Sequence, residues 1–131
     1  MDLIQIRKRC PSAEVYCRGR LDNWQLRYSR YSQVRKGGVA DIVPKDGDYV
    51  LGLVVALDHD DLAVLDDIEC SQNGYRRIKV KIKDDNQKEI EAFAYEVIDK
   101  VDYVEPTKVY QWLVYSGAYN LNAPKSYLKN I

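Results

Sequence analysis

One phenylalanine, one methionine and one histidine occur in 131 residues, and the three cysteines include no Cys-x-x-Cys pair. A disulfide framework needs evenly matched cysteines and a zinc site needs clustered ligands, so neither is indicated. Cys10, Cys17 and Cys70 read as reduced thiols. No Walker loop, Gly-x-Ser-x-Gly elbow or dinucleotide fingerprint is present, and neither a metal nor an organic cofactor is expected. No stretch approaches the roughly 20 apolar residues of a membrane span, and residues 1–9 hold no apolar secretory core. A cytoplasmic location without a membrane partner is the expectation. Excess charge is missing too, since 20 basic residues meet 20 acidic ones and leave no field to draw the chain to nucleic acid. The basic run at 76–83 alternates with Ile78, Val80 and Ile82, which is a strand with a solvated face. The implied partner is small or neutral.

Tyrosine is plentiful, eleven against the single phenylalanine, so the core must be built with rings whose polar tips each need a partner. The length suits one domain, 1–131, with a single sizeable core. Leu3, Ile4 and Ile6 place a helix over 1–9, stopped by Pro11. Residues 15–21 and 24–31 read as strands with a hairpin or sharp corner at Asp22-Asn23. A polar loop at 33–38 ends in Gly37-Gly38, which suits either a close approach to a ligand or a plain flexible turn. A short strand at 39–43, a turn at 44–48 and a longer apolar strand at 49–57 follow, the last being the most buried strand expected. Residues 75–83 and 89–98 make a hairpin, and Pro106 opens a helix whose apolar stripe runs to Gly117. Many strands with few helices predict an α+β domain with a small, mixed, mainly antiparallel β-barrel or curled sheet.

Residues 57–75 carry the chemistry. Asp58, Asp60 and Asp61 suit the cap and first turn of a helix, and Leu62, Leu65 and Ile68 recur at helical spacing. At about 3.6 residues per turn Glu69 falls beneath Leu62 and beside Leu65, on the apolar face. Burial and the negative end of the helix dipole would both raise its pKa toward neutrality. The other reading is that the helix frays at Ile68 and Glu69 turns into water. His59 cannot pair with Cys70, since eleven residues of helix separate them by about 16 Å. His59, Asp60 and Asp61 diverge around the helix and form no metal site. One partly buried acid near a glycine turn and several tyrosines remains. Such a site suits a reaction whose substrate supplies its own nucleophile, because intramolecular attack reaches effective molarities of about 10⁵ M or more.

Leu65-Asp66-Asp67-Ile68-Glu69 followed by Gly74-Tyr75-Arg76-Arg77-Ile78-Lys79-Val80 resembles the γ-glutamylcyclotransferase-like group, which includes the plant AIG2-like proteins. Pro11-Ser12-Ala13, Arg20-Leu21-Asp22-Asn23-Trp24-Gln25-Leu26, Gly37-Gly38-Val39-Ala40 and Gly117-Ala118 with Pro124 and Tyr127-Leu128 extend the resemblance in order along nearly the whole chain. It implies a pocket for a small γ-glutamyl substrate, whose α-amine attacks its own γ-carbonyl to release 5-oxoproline and a free amine or amino acid. Glu69 matches the family's catalytic acid-base residue. Tyr75 matches a pocket tyrosine, Tyr95 resembles another or is a packed core ring, and Gly37 and Gly38 are further candidates for substrate binding.

The family pattern opens with a strand and a Tyr-Gly-Ser-Asn loop whose N–H groups hold the substrate. The sequence begins about where the residue after that asparagine would stand, so the domain is expected to be N-terminally incomplete. Loss of one oxyanion donor costs roughly 10²- to 10³-fold in rate. The alternative function is therefore a non-catalytic binding or interaction module that keeps the barrel. An unpaired sheet edge also predicts a homodimer.

Overall fold

The computed structural model describes residues 3–131. Helix α1 (Leu3–Arg9) leads into strand β1 (Glu14–Ser32), which turns back into β2 (Gly37–Ala56). The two pair antiparallel along their whole length, from Glu14 opposite Ala56 to Ser32 opposite Gly37. Helix α2 (His59–Asp66) continues into a π-helical segment (Asp67–Gln72). Strands β3 (Tyr75–Lys83) and β4 (Glu89–Val97) form a second hairpin, and helices α3 (Lys108–Asn120) and α4 (Lys125–Leu128) complete the chain. The expected helix over 1–9 forms from Leu3, its first two residues lying outside the described ones. No helix among the described residues is long and apolar enough to cross a membrane.

The break expected at Asp22-Asn23 is a bulge inside one strand. Asn23 adopts a left-handed φ of 65°, the register slips between Asp22 and Trp24, and Gly47 N–H donates to the Asn23 side-chain oxygen at 3.1 Å. Residues 44–48, read as a turn, bend with it and stay in β2. Asparagine tolerates this backbone where most residues do not, so both strands kink together without ending. Pro44 fits because β2 lies at the edge of the sheet, where a missing N–H breaks no second ladder. The same edge position corrects the expectation that 49–57 is the most buried strand. None of its residues is fully buried, whereas Gly37, Gly38, Val39 and Asp41 at the start of β2 are.

The sheet order is β2-β1-β3-β4. Strands β1 and β3 pair only at Arg20 and Lys83, so the sheet curls without closing and is not a complete barrel. Alternation in β3 turns Val80 and Ile82 inward with Leu21, while Lys79 and Lys81 face water and pair diagonally across the hairpin with Glu91 and Glu89. A second cluster joins Ile6, Cys10 and Ala13 to Leu65 of α2.

Far from the Arg20–Lys83 bridge, the outer strands are tied by one carboxylate. Asp41 of β2, with no side-chain exposure, accepts from Val97 N–H at the end of β4 at 2.8 Å, from Lys100 Nζ at 2.7 Å and from Ser29 Oγ. Beside it Gly38 N–H donates to the Glu105 carbonyl at 2.9 Å, and a Cβ at Gly38 would collide with the Val104 carbonyl. A side chain there forces backbone apart. Gly38→Ala is expected to lower unfolding stability by about 3 kcal/mol, the upper end of the usual overpacking cost. Gly52→Ala, whose Cβ would meet nothing within 4 Å, should lower it by none. Asp41→Ala, which leaves the Val97 N–H and the Ser29 hydroxyl without their acceptor, should cost about 1–3 kcal/mol for each donor. Urea denaturation of the three variants measures all of these.

Candidate active site

Position 69 is set by what holds α2. Asp58 caps the helix, accepting from Asp61 N–H at 2.8 Å. The Asp61 side chain in turn accepts from Ser12 N–H at 2.7 Å, and its carbonyl accepts from the Cys10 thiol at 3.4 Å. Together these bonds clamp α2 to the segment after α1, with Leu65 buried between them. Beyond Asp66 the helix neither ends nor frays. It widens into the π-helical turn Asp67–Gln72, and that wider turn rotates Glu69 away from the position a 3.6-residue period assigns it.

The Glu69 side chain is 17 % exposed, and its nearest cation is Arg9, with Nη1 3.8 Å from Oε1. That separation is too long for a hydrogen bond and leaves the carboxylate under-compensated. Burial raises its pKa above the ordinary 4.5, against the opposing pull of Arg9 and Arg30. The expected direction is therefore present, and desolvation is its main cause.

Two phenols stand beside this acid. Gly74, at φ 76°, turns the chain into β3 so that Tyr75 leads the strand, and the Tyr75 hydroxyl donates to the Ala40 carbonyl at 2.8 Å. From α3, the Tyr110 hydroxyl accepts from Ala40 N–H at 2.9 Å. One residue of the edge strand β2 thus has both peptide groups held by tyrosine side chains instead of by a neighbouring strand. Burial raises the pKa of both phenols, and the charge of Glu69 raises each further. They stay neutral at pH 7. Tyr28 packs edge-on against Tyr110 with ring centroids 6.3 Å apart, and its buried hydroxyl has no hydrogen-bond partner among the described residues.

No group of three or more His, Cys, Asp or Glu among the described residues could hold a metal ion. Two cavities, of about 160 and 300 Å³, open beside Tyr127 and beside Lys83, and neither is lined by Glu69, Tyr75 or Tyr110. Glu69 is thus a partly buried carboxylate within reach of two arginines and two neutral phenols. Residues 6–120 match the family model described as gamma-glutamyl cyclotransferase, AIG2-like. The chain belongs to that family.

Similar proteins agree with the assignment. The chain is 30% identical over 132 residues to human gamma-glutamylcyclotransferase, covering 97% of this chain and 70% of that protein. The mouse protein of the same name is 27% identical over equal coverage. A solved gamma-glutamyl cyclotransferase superimposes with a TM-score of 0.86 at 28% identity, covering 97% of this chain and 78% of that one. The solution structure of an Arabidopsis thaliana protein, at TM-score 0.63 and 21% identity over 92% of this chain and 79% of that one, shares the fold.

The family's expected site residues are placed unequally. Tyr75 is near enough to Glu69 to feel its charge. Tyr95 packs against the Ile6 and Leu65 cluster, and its hydroxyl donates to Asp66 Oδ1 at 2.6 Å. Asp66 also takes Arg77 at 2.8 Å. Gly37 and Gly38 make a close approach, but to the chain's own backbone at 104–107. Tyr110 and Arg30 were missed by sequence reasoning. Tyr110 belongs to an apolar stripe at helical spacing, and nothing local marks Arg30.

The raised pKa of Glu69 has a consequence for stability. Below the ordinary carboxylate range both folded and unfolded chains are protonated there and burial costs nothing; as pH rises from 4.5 through the folded value, the unfolded chain ionises freely while the native state first keeps its proton and then holds a charge that burial disfavours. Glu69→Gln cannot ionise. It should unfold at higher urea than the parent at pH 7, with the gap closing as pH falls toward 4.

Proposed function

We propose that the chain is a γ-glutamylcyclotransferase in which Glu69 is the general base and acid. The observation that carries this is the largely buried Glu69 carboxylate, raised in pKa and held on a clamped π-helical turn within electrostatic reach of two neutral phenols. Its substrate is a γ-glutamyl amine or γ-glutamyl amino acid. The substrate's free α-amine attacks its own γ-carbonyl carbon and forms the ring C–N bond. The ring nitrogen then carries a surplus proton, which Glu69 accepts. The γ C–N bond breaks as Glu69 returns that proton to the leaving nitrogen, and 5-oxoproline and the amine depart. Glu69 ends as it began, so no co-reactant is consumed.

A raised pKa suits the task, since it makes the Glu69 carboxylate a stronger base toward the amine proton than an ordinary glutamate. Tyr75 lines the substrate beside it, and Tyr110 holds Ala40 so that the Tyr75 hydroxyl stays fixed. The Tyr-Gly-Ser-Asn motif associated with substrate N–H donors in this family does not occur in the sequence. The test therefore uses two proteins: this chain, and the chain extended upstream by a strand bearing that motif.

Release of 5-oxoproline is measured from γ-glutamyl-alanine, γ-glutamyl-ethylamine and glutathione. Glu69→Gln is expected to lower kcat by about 10²- to 10⁴-fold, the usual contribution of general acid-base catalysis. The acid limb of kcat/KM should lie above 4.5, following the raised carboxylate. Folded protein that releases no 5-oxoproline in either form would overturn the catalytic reading in favour of a non-catalytic binding module.

A further inference from the structure

We infer that Arg30 binds a substrate carboxylate beside Glu69, an assignment that rests on the γ-glutamyl reading above. Arg30 lies near the end of β1, opposite Val39, and is half-buried. Its guanidinium has no hydrogen bond or ion pair among the described residues. Other arginines of the same sheet do: Arg27 donates to the Asp102 carbonyl at 2.7 Å, Arg76 pairs with Glu96 at 2.6 Å, and Arg77 pairs with Asp66 at 2.8 Å. A guanidinium carries five donors, and holding it half out of water without an acceptor is unfavourable unless something else fills them.

Its position is set by Gly74. A Cβ at that residue would lie 3.2 Å from Arg30 Nε and 3.8 Å from Cζ, so the guanidinium rests against the bare backbone immediately before Tyr75. Any side chain at position 74 would press on it, and the φ of 76° already favours glycine. The charge of Arg30 is felt at both Glu69 and Tyr75. Yet Glu69 has its ion pair with Arg9, which leaves the Arg30 fork unclaimed. A free, planar fork beside the acid-base residue matches a carboxylate, which it can hold through two parallel hydrogen bonds.

The substrate class offers such a group in two places. The α-carboxylate of the γ-glutamyl moiety is joined to the carbon that bears the attacking amine. In a γ-glutamyl amino acid, a second carboxylate is joined to the carbon that bears the leaving nitrogen. Glu69 exchanges its proton with both nitrogens, so either carboxylate would stand close to it. Arg30 would thereby fix the reacting nitrogen against Glu69 without taking part in proton transfer.

The test compares γ-glutamyl-alanine with γ-glutamyl-ethylamine, which differ by the leaving-group carboxylate alone. Binding is measured by calorimetry in the Glu69→Gln background, and kcat and KM in the parent, for Arg30, Arg30→Gln and Arg30→Lys. Arg30→Gln is expected to weaken binding of γ-glutamyl-alanine by about ten- to a hundredfold, the range for lost charge-assisted hydrogen bonds. KM should rise to match while kcat changes little, and Arg30→Lys should recover part of the loss. A loss on both probes assigns Arg30 to the α-carboxylate. A loss confined to γ-glutamyl-alanine assigns it to the leaving amino acid. Unchanged dissociation constants for both probes would overturn the inference, as would failure of the parent to bind either probe. Binding that depends on Arg30 without any release of 5-oxoproline would sustain the carboxylate site and sink the catalytic reading alone. Should Arg30→Gln not fold, by circular dichroism, the Arg30→Lys comparison decides, since it keeps the charge and loses only the fork.

Discussion

The buried carboxylate of Asp41 is the constraint from which the arrangement of the strands follows. It accepts from β1 through Ser29, from the end of β4 through Val97 N–H and from the segment after β4 through Lys100. Without ladder pairing between β2 and β4, these bonds replace the seam that a closed barrel would have. A charge removed from water is costly unless each of its lone pairs is engaged, and here three donors reach it. The network continues outward, because Lys100 also lies 3.4 Å from Glu96, whose carboxylate takes Arg76. Pinning Asp41 pins Ala40 beside it, and Ala40 is the residue that Tyr75 and Tyr110 grip.

The site therefore depends on two anchorages that are separate in the chain. One is the Asp58, Asp61 and Ser12 clamp, which fixes α2 and hence the widened turn bearing Glu69. The other is the Asp41 knot, which fixes the strand that the two phenols hold. Glu69 lies where elements positioned by both come together, and its raised pKa follows from burial there more than from any single neighbour. Proton-transfer groups are tuned by such surroundings, and a small displacement of either anchorage would alter the exposure of the carboxylate.

Local signals in the sequence were read successfully where the physics is local. The Asp58 cap and the 75–83 and 89–97 hairpin both follow from short spacing and residue type. Continuity of the long strands was not legible, because Asp22-Asn23 and Pro44 carry turn chemistry that an edge strand can absorb as a paired bend. The turn around Glu69 also departed from its period. A π-helical widening has no sequence signature comparable to a cap, so the acid was selected for a geometry slightly different from the one it adopts. Tyr95 shows the limit most plainly: β4 alternation gives its face, but not the distant Asp66 that its hydroxyl reaches. Tyr110 and Arg30 are defined by contacts with residues about 70 and 40 positions away, which periodicity cannot supply.

The double grip on Ala40 makes a single residue answerable to two elements that otherwise share no hydrogen-bonded ladder. Its amide proton is shielded by a phenol from α3, where an interior strand residue would be shielded by backbone. Exchange of that proton with solvent therefore requires α3 to release Tyr110, while the rest of β2 remains zipped to β1. Ala40 is in effect a spectroscopic sentinel for helix docking, placed within the sheet and one residue from the charge that keeps the strands together.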